Sequence, residues 1–391
     1  MNNINEGQWP YYSKREMDAV TSILSSGRVN YWTGDEGEHF ESEYADYFGV
    51  AFAVAVSNGT VALELALRAL GIGTGDEVIV TSRTFFASVS CIAAVGAVPV
   101  FADVDRDSQV ITANTINDVV TEKTRAVICV HLAGWVCDMP EIQASLDGRG
   151  IFLIEDCAQS HGAKYQDKYA GTFGDVACWS FCQDKIMSTG GEGGMVTTDN
   201  KDIYEKIWSM KDHGKGISSM VKTKPGSSFR WLHESFGTNA RMTEIQAAIG
   251  RIQLEYLSDW IEIRRKKANY IWDVGSSCLG LRVPMVPNSI EHAAYKCYVF
   301  VEPSMLKEGW TRDRIIEEMR AEKTSAFSGS CPEVYLEEAV KKAGFGPDYP
   351  YPICKELGET SIMFTVHPTL PESSTEKLCE VLIKTMKKAI R

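Results

Sequence analysis

Two hydrophobic periods alternate along this chain. Residues 15–27 (REMDAVTSILSSG) carry apolar side chains at helical spacing and end at Gly27. After the polar, aromatic stretch GRVNYWTGDEG, a helical pattern resumes over 38–47. AFAVAVSNGT then reads as a buried strand running into a small polar turn, and VALELALRALGIG as a strong helix former closed by Gly71. The alternation repeats: strand at 77–82 (EVIVTS), helix at 86–96, strand at 99–104 (PVFADV), and apolar runs at 125–134 and 151–158. Short continuous apolar strands between helices mark a parallel sheet covered on both faces. Two more strands are predicted at 175–181 and 193–199, paired as a hairpin or added at the sheet edge. A helical pattern starting near Thr243 is long for one helix and predicts a bend near 255–260. From about 270 the pattern changes to strand-like YKCYVFVEP, helical TRDRIIEEMRAEK and a closing helix, STEKLCEVLIKTMKKAI. This places a large α/β unit at 1–255 and a smaller α+β unit at 256–391. Pro and Gly at 344–352 predict a surface loop.

Composition narrows the class. The 391 residues are 44% hydrophobic, enough for a large core and a second, smaller one. The net charge of −12 repels phosphate backbones and argues against a nucleic-acid partner. Small phosphorylated ligands stay open, because backbone amides bind them locally. The opening residues lack the basic start and apolar run of a signal peptide, and no stretch is long and apolar enough to span a membrane. Eleven scattered cysteines fit reduced thiols in a cytoplasmic protein. Cys178 and Cys182 have no second Cys/His pair at zinc spacing, so no metal site is expected.

Four segments bear on chemistry. In SFCQDKIMSTGGEGGMV, Lys185 follows a strand and precedes a glycine-rich run. Alone, such a lysine is more often a surface residue. A following glycine run, however, lets backbone approach a ligand closely, and an amine nucleophile needs such a held position. In EDCAQSHGA, Asp156 ends a strand where parallel α/β proteins place ligands. Its plain reading is a helix cap or a surface acid. An acid there also suits the pyridine nitrogen of pyridoxal phosphate (PLP), which must stay protonated to withdraw electrons. The separation 185 − 156 = 29 leaves room for one excursion between them. SNGTVALEL, with Thr60, opens a helix with small polar residues and offers an anion site, although a simple cap reads the same way. SRTFFAS offers an aromatic ring for stacking, more often a core feature. Together they supply phosphate cup, stacking ring, ring-nitrogen acid and amine in chain order.

With these residues in place, the chain resembles the fold-type I PLP-dependent sugar aminotransferases of the DegT/DnrJ/StrS group. The likeness runs from GDEGEHFESEYADYFG to HPTL and is most specific in SNGTVALELALRALGIGTGDEVIV, EDCAQSHGA, SFCQDKIMSTGGEGGMV and GTNARMTEIQAAIG. It implies a mostly parallel seven-stranded sheet between helices, with a smaller α+β C-terminal domain. By the resemblance, Lys185 holds the cofactor and shuttles protons, Asp156 pairs with the ring nitrogen, Gln159 bonds the ring hydroxyl and Phe85 stacks on the ring. Gly59, Thr60 and Ser180 hold the phosphate, with Asn58 nearby. The family builds its site across a homodimer, so Asn239 would serve the partner's phosphate. Arg241 is the candidate for a substrate or donor anion, and His213 and His367 match positions near the substrate. The implied reaction passes an amino group from L-glutamate, through pyridoxamine phosphate, to a nucleotide-linked keto sugar. GEGG after the lysine is closer to the enzymes that aminate C4 of a 4-keto-6-deoxy sugar than to the C3 enzymes, whose run is often GDGG.

Two departures touch the substrate side. CQDK stands where many relatives have an HPVK-like segment, and STGGEGG is one residue longer than the common TTGEGG. Rival readings are 3-aminotransfer, PLP-dependent sugar dehydration, a non-catalytic regulatory relative and an NAD dehydrogenase. The dehydrating branch carries histidine at the lysine position, an intact Lys185 and Asp156 weigh against a regulator, and no G-x-G-x-x-G follows the first strand.

Overall fold

A computed structural model of the chain describes residues 7–217 and 232–391. The opening residues 1–6, read above for a targeting signal, lie outside them.

The central sheet has seven strands in the order β1-β9-β8-β5-β4-β2-β3. These are β1 (Phe52–Val56), β2 (Glu77–Thr81), β3 (Val98–Ala102), β4 (Thr124–Val130), β5 (Phe152–Asp156), β8 (Val176–Ser180) and β9 (Gly194–Thr198). Two short strands, β6 (Lys164–Tyr165) and β7 (Lys168–Tyr169), form a hairpin outside it. Within the seven, β9 alone runs against its neighbours β8 and β1. The late strand pair is therefore an antiparallel pair built into the sheet, with β1 as the edge beyond it.

Side-chain alternation sorts the residues that matter. In β8, Val176 and Cys178 join one core, while Ala177 and Trp179 join the core on the opposite face. Ser180 continues the first set. In β5, Ile154 faces that same core, so Asp156, two residues on, shares its side and Glu155 takes the other. Asp156 and Ser180 thus emerge together at the carboxyl end of the sheet.

Three helices of the first half pack on this sheet, α2 (Glu36–Phe48), α3 (Gly59–Ala69) and α4 (Ala87–Ala94), while α1 (Lys14–Ser26) packs on the long helix that begins at Glu244. The Ala/Leu-rich α3 buries Ala62, Leu63, Leu65, Ala66, Leu67 and Ala69 and packs on β8 and β9. Asn58 caps it, its side chain accepting from the Val61 N–H at 2.9 Å. Such a cap is worth about 1 kcal/mol.

The helix from Glu244 to Ser276 is unbroken over 33 residues, where the sequence suggested a bend near 255–260. Its start is a capping box of Thr243 and Gln246. Its buried stripe explains the length. Ala247, Leu254, Leu257 and Ile261 belong to the core under the large sheet, and Ala268 and Ile271 to a second core. One helix therefore spans both cores, and position 255 lies inside it. The second core lies under a three-stranded antiparallel sheet of Leu281–Arg282, Cys297–Val301 and Ser361–Phe364. Helices Arg312–Ala321 and Glu372–Ala389 pack there against each other. Residues 344–352 are mostly exposed, as their Pro and Gly content predicted.

All eleven cysteines are free thiols, nine of them buried. No helix among the described residues is long and apolar enough to cross a membrane.

Candidate active site

A cleft of about 640 Å³ opens at the carboxyl ends of β5 and β8. Asn58, Gly59, Thr60, Phe85, Asp156, Gln159, Ser180 and Lys185 all line it. Eight residues singled out along the sequence thus converge on one space. His367 lines an adjoining cavity instead.

One end of the cleft is the first turn of α3. The N–H groups of Gly59 and Thr60 precede the first intrahelical bond, and the Asn58 cap takes that of Val61. The Ser180 hydroxyl faces this turn at very close range. A Cβ added to Gly59 would fall 2.7 Å from the Ser180 Cβ. Gly194, the first residue of β9, is as constrained: its added Cβ would fall 2.5 Å from the Asn58 carbonyl carbon. Backbone donors, a helix dipole and a hydroxyl in one small cup suit a phosphate.

The floor is Asp156, only 6% exposed. Ser88 of α4 donates to its Oδ2 at 2.8 Å, and the Ala158 N–H donates to its Oδ1 at 3.1 Å. Thr84 bonds Ser88 in turn at 2.9 Å. These contacts fix the carboxylate's orientation. Ser88 carried no sequence signal, since a serine in a short helix reads as filler. Gln159 accepts the Ala133 N–H at 2.8 Å, which leaves its NH₂ as the donor presented to the cleft. Phe85 is 66% exposed, an open aromatic face at the mouth.

Lys185 stands on the excursion between β8 and β9. Backbone bonds from Phe181 to Gly193, Gln183 to Gly191 and Thr189 to Phe181 tie that excursion to itself. Gly190 and Gly191 adopt φ of +83° and +116°, which L side chains rarely take. The Lys185 N–H donates to the Cys182 carbonyl at 3.0 Å, and its own carbonyl accepts the Trp9 indole N–H at 2.8 Å. Its Nζ lies 5.1 Å from the centre of the Tyr295 ring. The Tyr295 hydroxyl donates to Asp184. Burial opposes the charge of Asp184, but Lys185, Tyr295 and Lys296 outweigh it and hold its pKa below the usual value.

The remaining candidates lie elsewhere. Arg241 is held by the buried Asp212, which Lys215 also contacts at 2.9 Å. Asn239 is exposed and bridges to Asp212, and His213 is exposed with its N–H donating to the Thr238 carbonyl. None of these three lines the cleft of its own chain.

Two buried histidines merit separate accounts. His131, Glu155 and Cys157 have ligand atoms within 4.8 Å of one another. The polar atoms of His131 and Glu155 are already hydrogen-bonded without an ion. His131 Nδ1 accepts from the Cys137 N–H, so its Nε2 carries the hydrogen and donates to Glu155 at 2.9 Å. Gly171, Phe173 and Gly174 N–H groups fill the other carboxylate positions. Burial opposes the Glu155 charge, but His131 and these donors hold its pKa below the usual value. Glu155, braced by His131, anchors the loop after β7.

His161, in the EDCAQSHGA segment, is fully buried between Trp179 and Phe181, and neither ring nitrogen has a partner among the described residues. Burial, with Lys185 and Arg264 nearby, lowers its pKa to about 3 from 6.5. Between those values the unfolded chain binds a proton that the folded chain refuses. Stability is therefore unaffected above pH 6.5 and falls as pH drops from 6.5 toward 3. His161→Phe keeps a ring in the apolar slot and removes the titration. The variant's melting temperature should fall less steeply over that window than the parent's, while parallel curves would contradict the assignment.

Sequence reasoning missed Arg264. It lies in the run IRRKK, which reads as a solvated helix face. Its helical phase was the available signal, because it follows Leu257, Trp260 and Ile261 on the buried stripe. Arg264 is 2% exposed, and its Nε and one terminal nitrogen have no hydrogen-bond partner. Its other terminal nitrogen reaches the Tyr295 carbonyl at 3.4 Å, and Trp9 lies 4.8 Å from its guanidinium. A desolvated cation–π contact returns about 2 kcal/mol, less than the cost of several kcal/mol for burying an unpaired charge. Burial lowers its pKa to about 9, and that of the neighbouring Lys296 to about 8.

Known proteins resemble this chain over nearly its whole length. The model of the DegT/DnrJ/EryC1/StrS aminotransferase family matches residues 10–383. GDP-perosamine synthase of Escherichia coli O157:H7 is 34% identical over 374 residues, covering 95% of each chain. A dTDP-3-amino-3,4,6-trideoxy-alpha-D-glucose transaminase of Micromonospora megalomicea subsp. nigra is 32% identical over 385 residues, 96% of this chain and 97% of its own. The X-ray structure of an aminotransferase from Psychrobacter cryohalolentis superposes with a TM-score of 0.96 at 47% identity, covering 98% of this chain and 99% of that one. The protein with this lysine-centred cleft belongs to the DegT/DnrJ/EryC1/StrS aminotransferase family.

Proposed function

We propose that this protein transfers the amino group of L-glutamate to a nucleotide-linked keto sugar, with PLP as its resident cofactor and pyridoxamine phosphate as the loaded form. One observation carries the reading: a lysine amine, a buried carboxylate and a helix-start anion cup surround one cleft of about 640 Å³. The donor set fits the cofactor's groups one by one. The α3 turn with Ser180 would hold the phosphate, Asp156 the ring nitrogen, Gln159 the ring hydroxyl and Phe85 the ring face, and Lys185 the aldehyde carbon. The near-contact of Gly59 with Ser180 leaves no room for a side chain where the phosphate would approach.

When bound, the cofactor supplies an electron-withdrawing ring conjugated to the carbon that carries nitrogen. The protein's part is positional and protonic. Asp156, fixed by Ser88 and Ala158, holds the proton on the ring nitrogen. Lys185 Nζ would take the proton from the amino-acid α-carbon and return it at the other end of the exchange. The Trp9 and Cys182 bonds hold its backbone in place while the side chain moves. The same residues serve the second half in reverse, which predicts ping-pong kinetics.

The relatives act on GDP-, dTDP- and UDP-linked amino sugars by name, which supports the nucleotide sugar. The GEGG run at 191–194 favours a 4-keto-6-deoxy sugar. The test is incubation with ¹⁵N-glutamate and a panel of nucleotide-linked 3-keto and 4-keto sugars. The expected product is a ¹⁵N-amino sugar aminated at C4. Label at C3 would move the assignment to the 3-keto class, and no labelled sugar from any member would overturn the acceptor.

The reading includes a second copy of the chain. Asn239 is exposed and outside its own cleft, so its service to a phosphate requires a partner. Sedimentation should return twice the chain mass of 43.3 kDa, and a monomer would remove Asn239 from the site.

A further inference from the structure

A second cavity, about 740 Å³, adjoins the reaction cleft and shares Asp184 with it. Its walls include Trp9, Arg264, Tyr295, Lys296 and His367. Two lysine side chains approach the Tyr295 ring: Lys185 Nζ is 5.1 Å from its centre and Lys296 Nζ 4.6 Å. Arg264 lies at the same wall through its bond to the Tyr295 carbonyl. Among the described residues no carboxylate forms an ion pair with Arg264, and two of its nitrogens are unpartnered. Asp184 is the one acid of this lining among the described residues, and its oxygen is already engaged by the Tyr295 hydroxyl. Two cations thus face one occupied carboxylate, with a fully buried guanidinium short of acceptors.

We propose that Arg264, with Lys296 beside it, is a subsite for an oxyanion of the substrate whose reacting carbon sits at Lys185. The proposal rests on the aminotransfer reading and deepens it. A two-step relay brings two substrates to Lys185 in turn, and both carry oxyanions: the carboxylates of glutamate and the diphosphate of a nucleotide sugar. Either places acceptors where Arg264 lacks them. Arg241, the cation the sequence favoured for this task, already has Asp212 as its partner. Arg264 does not touch the reacting atoms, so its role is to position the substrate.

The test uses the full-length, cofactor-loaded protein and its Arg264→Met and Arg264→Lys variants. Equilibrium binding of succinate and of pyrophosphate is measured by calorimetry, and KM and kcat are measured for each half-reaction. Cofactor retention and melting temperature serve as controls. In Arg264→Met, binding of at least one probe should weaken by about 10- to 100-fold, as for loss of a hydrogen-bonded charge, with the cofactor retained. KM of the matching half-reaction should rise more than kcat falls, and Arg264→Lys should recover part of the loss. Weakening confined to succinate and glutamate assigns the subsite to the donor's carboxylate. Weakening confined to pyrophosphate and the sugar assigns it to the diphosphate, and weakening of both shows that the two share it. Unchanged binding of both probes overturns the proposal. Should Arg264→Met fail to fold, Lys296→Met gives the decision by the same criteria. Probe binding needs no turnover, so a parent protein that binds the probes without transferring nitrogen would defeat the aminotransfer reading and leave the subsite standing.

Discussion

Replacing Lys185 with alanine should lower turnover by about 10⁴-fold, the upper end of what a positioned acid–base group contributes. The loss is large because one nitrogen performs two tasks. In the proposed reaction it would hold the cofactor's aldehyde carbon and then move the proton. Among the described residues no other amine lines the cleft. Lys296, whose Nζ lies 4.6 Å from the centre of the Tyr295 ring, lines the adjoining cavity instead. The fold should tolerate the change, since Lys185 is half-buried and its two backbone bonds do not need its side chain. Steady-state assay together with a melting curve checks both parts. Retained activity within about tenfold of the parent would remove Lys185 from proton transfer.

Asp156→Asn should cost about 10²–10³-fold in kcat, the scale of losing one electrostatic contact to charge that develops during reaction. The amide is nearly isosteric, and its oxygen can still accept from Ser88 or Ala158. Packing is therefore preserved while the negative charge opposite the ring nitrogen is lost. Cofactor content should fall less than turnover does. Ser88→Ala should show a weaker version of the same defect, because it removes a support and leaves the charge. An Asp156→Asn variant with parental kcat would show that the carboxylate is structural.

The sheet strands were legible because each is a short apolar run between helical patterns, from FAVAV to VACWS. Lys185 and Asp156 were legible for a related reason. Asp156 ends one buried strand and Lys185 lies on the excursion that leaves another at Ser180, and strand ends in parallel α/β folds deliver side chains to one edge. The placement of β9 was not legible, because alternation identifies a strand and not its neighbours. The long helix misled for a different reason. Its pattern outlasts one core, and only the fold shows that a second core continues the same buried stripe through Ala268 and Ile271. Long-range supports left no trace in the sequence. Ser88 reaches Asp156 across 68 residues, and Trp9 reaches Lys185 across 176. Arg264 was hidden by its neighbours, because a run of basic residues on a helix ordinarily faces water.

The central claim is that Lys185 carries a cofactor able to take nitrogen from glutamate. The most direct measurement is the absorption spectrum of the purified protein with PLP, recorded before and after L-glutamate, with Lys185→Ala alongside. The account predicts a visible band in the parent, its conversion by glutamate to the shorter-wavelength spectrum of pyridoxamine phosphate with release of 2-oxoglutarate, and no such band in the variant. A protein that binds no PLP, or a variant whose spectrum and response match the parent's, would contradict it.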